Sequence, residues 1–291
     1  MYDDVLIPTD GSPGAEIATA HAFDLARSGE ALVHVLYVID TGYSWRDLPT
    51  EHRKSFRRTA EQQGRNATVR IQEAATAAGL EVVRAVRTGN PHEQILEYVD
   101  QNDVELVVMG THGESGVDSR VGSTTERVLA LADVPVMAVR LDEAATLPEA
   151  GDAMYDHVVV PTDGSDGAAL AADHALDIAE HYGADLHVLY AVDEAIYEFG
   201  DAPRSVIGLL EEGGEHEVER IAADARDRGL SATTEVLRGV PEDCILEYAA
   251  GVDADLIAMG TRGRVVERDH LLGSTTARVV RRSTVPVLTV S

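Results

Sequence analysis

Short, uninterrupted apolar runs recur along this chain, and between them apolar residues return at helical spacing. VLIPT (5–9), LVHVLYV (32–38), ELVVMG (105–110) and VPVMAV (134–139) mark the first half; VVVPT (158–162), DLHVLYAV (185–192), DLIAMG (255–260) and VPVLTV (285–290) mark the second. Runs this short, bounded by turn residues, read as strands buried on both faces. The pattern predicts strands near 3–9, 32–39, 81–87, 105–110 and 134–140, with helices near 13–28, 50–78, 91–101 and 123–132. In the second half it predicts strands near 156–162, 185–192, 232–238, 255–260 and 285–290, and helices near 166–182, 203–228, 241–250 and 274–283.

Strict alternation of strand and helix argues an α/β fold with a mainly parallel sheet covered by helices on both faces. The expectation is two tandem doubly wound, Rossmann-like domains, each of five strands in the flavodoxin-type order 3-2-1-4-5. Such sheets bind ligands outside the carboxyl ends of the strands, where the winding reverses. Here that is the crevice between the first and fourth strands, the two that end in repeated polar punctuation.

The halves are copies of one another. VLIPTDGS (5–12) returns as VVVPTDGS (158–165), and ILEY recurs at 95–98 and 245–248. A period this long marks a duplicated domain and not a solenoid unit. The boundaries expected are 1–141 and 155–291, joined by an acidic, small-residue linker at 142–154. Duplication alone would preserve apolar core runs. It gives less reason to preserve Asp, Gly and Ser in loops.

Those loops carry the candidate chemistry. After the fourth strand of each half stand MGTHG (109–113) and MGTRG (259–263), followed by GSTT at 122–125 and 273–276. A strand, a glycine-rich loop and a helix start can hold phosphate: glycines admit the anion, and the helix supplies N–H donors and the positive end of its dipole. In the second half Gly263, Gly273 and Ser274 are expected to place N–H groups around one anion.

The motif resembles the nucleotide signature of the universal stress protein family: G, two residues, G, nine residues, then G followed by Ser or Thr. The second half matches with Gly260, Gly263, Gly273 and Ser274; the first has Gly110, Gly113, Gly122 and Ser123 with only eight residues between the last two glycines. The resemblance covers essentially the whole chain. Its ATP-binding branch implies that Asp10 and Asp163 face adenosine beside Pro8 and Pro161. It implies that Val38 and Ala191 meet adenine through backbone groups, and that Met109–Gly110 and Met259–Gly260 line the ribose side. Gly113, Gly122, Ser123 and Thr124 would hold phosphates in one half, and Gly263, Gly273, Ser274 and Thr275 in the other. His112 and Arg262 share a loop slot, where Arg262 offers cationic cover. The ligand implied is ATP, AMP or ADP, with Mg2+ held mainly by the phosphates.

Other readings exist for the same residues. Asp10 and Asp163 can cap the helices that follow them. Ser123 and Ser274 can be ordinary N-caps, with Ser123 and Glu126 spaced as a capping box. His34 and His187 alternate with apolar positions and read as core histidines with satisfied partners.

Composition narrows the function. The net charge is −27, and Lys54 is the only lysine among 24 basic residues. This excludes a basic surface for nucleic acid or anionic membrane, and it resembles the composition of proteins from salt-loving archaea. The absence of a long apolar run predicts a cytoplasmic protein. Cys244, the single cysteine, has no disulfide partner. A Walker loop needs a lysine this chain lacks there, and a dinucleotide fingerprint needs G-x-G-x-x-G where the chain has D-G-S. No metal cluster or repeated nucleophile–base pair is visible, so the expectation is a binding protein, a nucleotide-dependent regulator with an unknown protein client. A slow ATPase or self-phosphorylating enzyme is the alternative, and a nucleotide-independent scaffold the second. The apolar last strands, Val134–Val139 and Val285–Val290, are expected to pair across a pseudo-two-fold within the chain, with homo-oligomers also open.

Overall fold

The structure, a computed structural model, describes residues 1–41, 50–111, 121–140, 154–193, 204–263 and 272–291. The chain divides into two compact units, Met1–Ala145 and Thr146–Ser291. The expected linker at 142–154 lies outside the described residues except for Met154.

In the first unit the elements are β1 (Asp4–Thr9), α1 (Pro13–Gly29), β2 (Leu32–Asp40), α2 (Thr50–Ala77), β3 (Val82–Gly89), α3 (Pro91–Gln101), β4 (Leu106–Gly110), α4 (Ser123–Leu131) and β5 (Val136–Val139). The second unit repeats them as β6 (His157–Thr162), α5 (Asp166–Tyr182), β7 (Asp185–Val192), α6 (Arg204–Asp227), β8 (Ala232–Arg238), α7 (Pro241–Gly251), β9 (Leu256–Gly260), α8 (Ser274–Arg282) and β10 (Val287–Val290). Strand order is β3-β2-β1-β4-β5 in one unit and β8-β7-β6-β9-β10 in the other. Every neighbouring pair within each unit is parallel. The predicted fold is therefore the observed one, with strand ends displaced by one or two residues.

Burial explains the pattern. Val5, Leu6 and Ile7 of β1 and Leu106, Val107 and Val108 of β4 are fully buried, as central strands covered on both faces must be. The lateral strand β3 instead has only half-buried and exposed positions, which alternate from Arg84 onward. Pro91 and Pro241 open α3 and α7 at the first helical turn, where a missing N–H costs nothing. The helices close on the sheet through small residues: a Cβ on Gly64 would lie 2.5 Å from the ring of Tyr37, and one on Gly214 2.6 Å from that of Tyr190.

His34 and His187 are satisfied inside the units. His34 bonds the Tyr98 hydroxyl at 3.0 Å through Nδ1 and Asp4 at 2.8 Å through Nε2. His187 meets the Tyr248 hydroxyl at 3.2 Å and, where the first unit has a carboxylate, the His157 ring at 3.4 Å. Burial first, then the neighbouring His157, lowers the pKa of His187.

Candidate functional site at the ends of the first and fourth strands

In the second unit, the turn after β6 is tied internally. Thr162 Oγ1 accepts from Gly164 N at 3.1 Å, and Asp163 Oδ1 accepts from Ser165 N at 3.0 Å. Gly164 takes φ +72°, a conformation that glycine adopts without steric cost. The aspartate therefore does not cap the helix. It shapes an Asx turn that sets Ser165 as the N-cap of α5, whose Oγ accepts from Ala168 N. The same Ser165 hydroxyl donates to the Arg262 carbonyl at 3.4 Å, which joins the β6 turn to the loop after β9.

Two glycines allow that junction. A Cβ on Gly260 would fall 2.9 Å from the Gly167 carbonyl carbon and the Ala168 nitrogen, so the end of β9 sits directly on the first turn of α5. A Cβ on Gly263 would lie 2.5 Å from Asp163 Oδ2. Asp163, Gly260, Arg262 and Gly263 thus come together at the expected strand ends, and Arg262 and Gly263 are exposed there.

The helix that follows begins at the same place. Gly273 is the N-cap of α8 and Gly122 that of α4, so Ser274 and Ser123 are the first helical residues and not caps. The capping box expected for Ser123 and Glu126 is replaced by a backbone bond, Glu126 N to Gly122 O at 3.0 Å. Gly273 N donates to Thr261 O at 2.9 Å and Gly122 N to Thr111 O at 2.7 Å, so these two donors are committed within the protein. The helix entry is then locked by Thr276 Oγ1 on Gly260 O at 2.8 Å and Thr125 Oγ1 on Gly110 O at 2.9 Å. A glycine cap has no side chain to satisfy the first-turn N–H groups, which belong to Ser123 and Thr124 in one unit and to Ser274 and Thr275 in the other.

The first unit repeats the turn but not the side-chain cap: Ser12 Oγ, unlike that of Ser165, is buried without a hydrogen-bond partner among the described residues. Asp10 Oδ1 accepts from Ser12 N at 3.0 Å, Gly11 takes φ +82°, and Ser12 is the N-cap of α1. His112 and Gly113 lie outside the described residues. Pro8, Pro161, Met109 and Met259 are buried, so their side chains belong to the interior. Val38 and Ala191 are half-buried near the ends of β2 and β7, in register with Arg87 and Leu237.

Sequence reading missed three contributors. Thr125 and Thr276 anchor the glycine carbonyls, and their repetition in GSTT was the available signal. Ser165 sets the start of α5 through its side chain, and Ser12 holds the same N-cap position in α1 without a side-chain bond. Arg70, brought by α2, lies beside the first turn, since a Cβ on Gly11 would be 3.7 Å from Arg70 Nη2; nothing in the local sequence links those positions. Among the described residues no group of three or more His, Cys, Asp or Glu is placed to hold a metal ion, and no helix is long and apolar enough to cross a membrane.

The sequence profile of the Universal stress protein family matches residues 1–140 and again 154–291. A universal stress protein of Methanocaldococcus jannaschii is 38% identical over 143 residues, covering 48% of this chain and 84% of that protein. One from Methanothermobacter thermautotrophicus is 33% identical over 144 residues, covering 48% of this chain and 97% of its own. The crystal structure of a universal stress protein from Archaeoglobus fulgidus covers 99% of this chain and 96% of its own with a TM-score of 0.74, at 21% identity, and so bears on the fold alone. With nearly all of its length matched in two successive copies, the chain belongs to the universal stress protein family as a tandem-domain member.

Proposed function

We propose that each unit binds an adenine nucleotide at the ends of its first and fourth strands, and that the chain serves the family's stress-response role as a cytoplasmic, nucleotide-dependent regulator. One observation carries this reading. In the second unit Asp163, Gly260, Gly263 and the uncapped start of α8 converge where the winding of the sheet reverses. Asp163 Oδ1 accepts from Ser165 N within its own turn, and the carboxylate is placed to accept from ribose or adenine donors as well. Ser274 and Thr275 then supply N–H groups to phosphate, Gly273 contributes by lacking a side chain, and Arg262 adds positive charge. Mg2+ would ride on the phosphates.

The two sites are not equal in this proposal. The second unit has the full spacing and Arg262, so ATP is bound more tightly there. The first unit has the shorter loop and takes ATP more weakly, or prefers AMP or ADP. We place the functional domains at 1–141 and 155–291, paired through Val134–Val139 and Val285–Val290, and read the acidic composition as adaptation to a high-salt cytoplasm.

Extraction of purified protein and chromatography of the released small molecules tests the reading directly. An adenine nucleotide at up to two per chain is expected, and its absence together with failure of ATP to bind would refute it. Hydrolysis or self-phosphorylation would appear as product formed over hours by the intact chain and lost in Asp163→Asn.

A further inference from the structure

Helices α2 and α6 occupy the same place in the two units, 150 positions apart, and their inward faces agree. Gly64 and Gly214 both press on a tyrosine ring, and Ile71 and Ile221, like Ala75 and Ala225, are buried at equivalent turns. Their outward faces have opposite charge. Arg65 is answered by Glu215 and Gln62 by Glu212, while Arg57 and Arg58 are answered by Ile207 and Gly208. α2 has six basic residues against three acidic ones; α6 has three arginines against seven carboxylates. In a chain of net charge −27 a net-basic helix is uncommon, and in the other one, α8, Arg278 and Arg282 are paired with Glu242 and Asp243 of α7.

The basic part of α2 is also turned to solvent all round. Six successive residues, Lys54 to Thr59, are exposed, nearly two turns of helix, which a helix lying flat on a sheet does not show. Phe56 within it is 49% exposed, and Leu209 near the start of α6 is 66% exposed. Glu61 is shared by Arg57 at 2.8 Å and Arg65 at 3.9 Å, so one carboxylate serves two guanidinium groups.

We propose that the first half of α2 is a docking surface for a second copy of this chain, which it meets through the first half of that copy's α6. Arg57, Arg58 and Arg65 would face Glu212 and Glu215, and Phe56 and Leu209 would supply the apolar contact. The occupant follows from charge. Nucleic acid is repelled by the rest of the chain, whereas every copy carries in α6 an acidic helix with Leu209, Glu212 and Glu215 exposed. Because the two surfaces differ, the contact is heterologous, joining a donor face on one copy to an acceptor face on the next.

Sedimentation of the full chain over a range of protein concentration tests this with two charge-reversed variants, Arg57→Glu/Arg58→Glu and Glu212→Arg/Glu215→Arg. Circular dichroism and thermal melting verify that each variant remains folded. The wild type should self-associate, each variant alone should lose at least about tenfold in association constant, and an equimolar mixture of the two should recover it, since reversed α2 then meets reversed α6. The proposal is overturned by a wild type that stays monomeric, by association indifferent to both reversals, or by a mixture that does not recover. A monomeric chain whose α2 instead captures a polyglutamate probe would assign the surface to another acidic protein and likewise overturn self-docking.

Discussion

His21 lies within α1 at 8% exposure, and burial pushes its imidazole pKa down to about 4, against a smaller opposing effect of Asp24. The folded state therefore keeps His21 neutral at a pH where the unfolded chain, with an ordinary value of about 6.5, binds a proton. Below the unfolded value, protons favour unfolding, so stability is lost as pH falls from about 6.5 towards 4, by about 3 kcal/mol when complete. Denaturant unfolding of wild type and His21→Leu at neutral and acid pH should show the wild type losing about 3 kcal/mol more than the variant. Parallel losses would remove His21 from the account. A sequence can mark such a histidine only as a polar residue on an amphipathic helix. Its depth depends on what the sheet places over it, which is a tertiary fact.

At the scale of elements, the duplication supplies its own controls. α1 ends on Glu30 in the left-handed region, at φ 55°, while α5 ends on Gly183, at φ 70°, in the equivalent position. Left-handed backbone costs a residue with a Cβ about 1 kcal/mol relative to glycine. Glu30→Gly should raise the stability of the first unit by about that amount, less the extra freedom glycine gives the unfolded chain. Thermal melting of the variant checks it, and a lowered midpoint would contradict it. The strands and helices were legible because continuous apolar runs and 3.6-residue spacing survive any choice of loop. Helix starts were less so. Gly-Ser and Asp-Gly-Ser each offer two plausible caps, and the choice fell to bonds across the chain: Gly273 N to Thr261 O, and Ser165 Oγ to Arg262 O. The turn bond that Asp163 makes with Ser165 N likewise separates a role shaping the loop from the helix-capping role that residue type alone allowed.

For the whole molecule, the two units each carry a complete five-stranded sheet with its own buried core. Each half expressed alone should therefore fold, and through its apolar last strand it should dimerise. Light scattering at high protein and salt concentration would show this, and halves that remain monomeric would remove the pairing from the proposal. The ranking of the sites is open to substitution as well. A Cβ on Gly273 would lie 3.0 Å from Thr261 O, whereas one on Gly122 would lie 3.4 Å from Thr111 O, so the second loop is the tighter fit. Gly273→Val should accordingly abolish most high-affinity ATP binding and Gly122→Val less, with calorimetry at matched salt as the measure. The central claim, that nucleotide sits at the ends of the first and fourth strands, is tested most directly by titrating ATP into the wild-type chain and into Asp163→Asn by calorimetry. Asparagine keeps the oxygen that accepts from Ser165 N, so the turn survives while the second carboxylate oxygen becomes an amide. An intact fold is expected, with ATP affinity at the tighter site lowered by about tenfold or more, the loss of one hydrogen bond to a charged acceptor. Wild-type affinity in Asp163→Asn, or no ATP binding by the wild type, would contradict it.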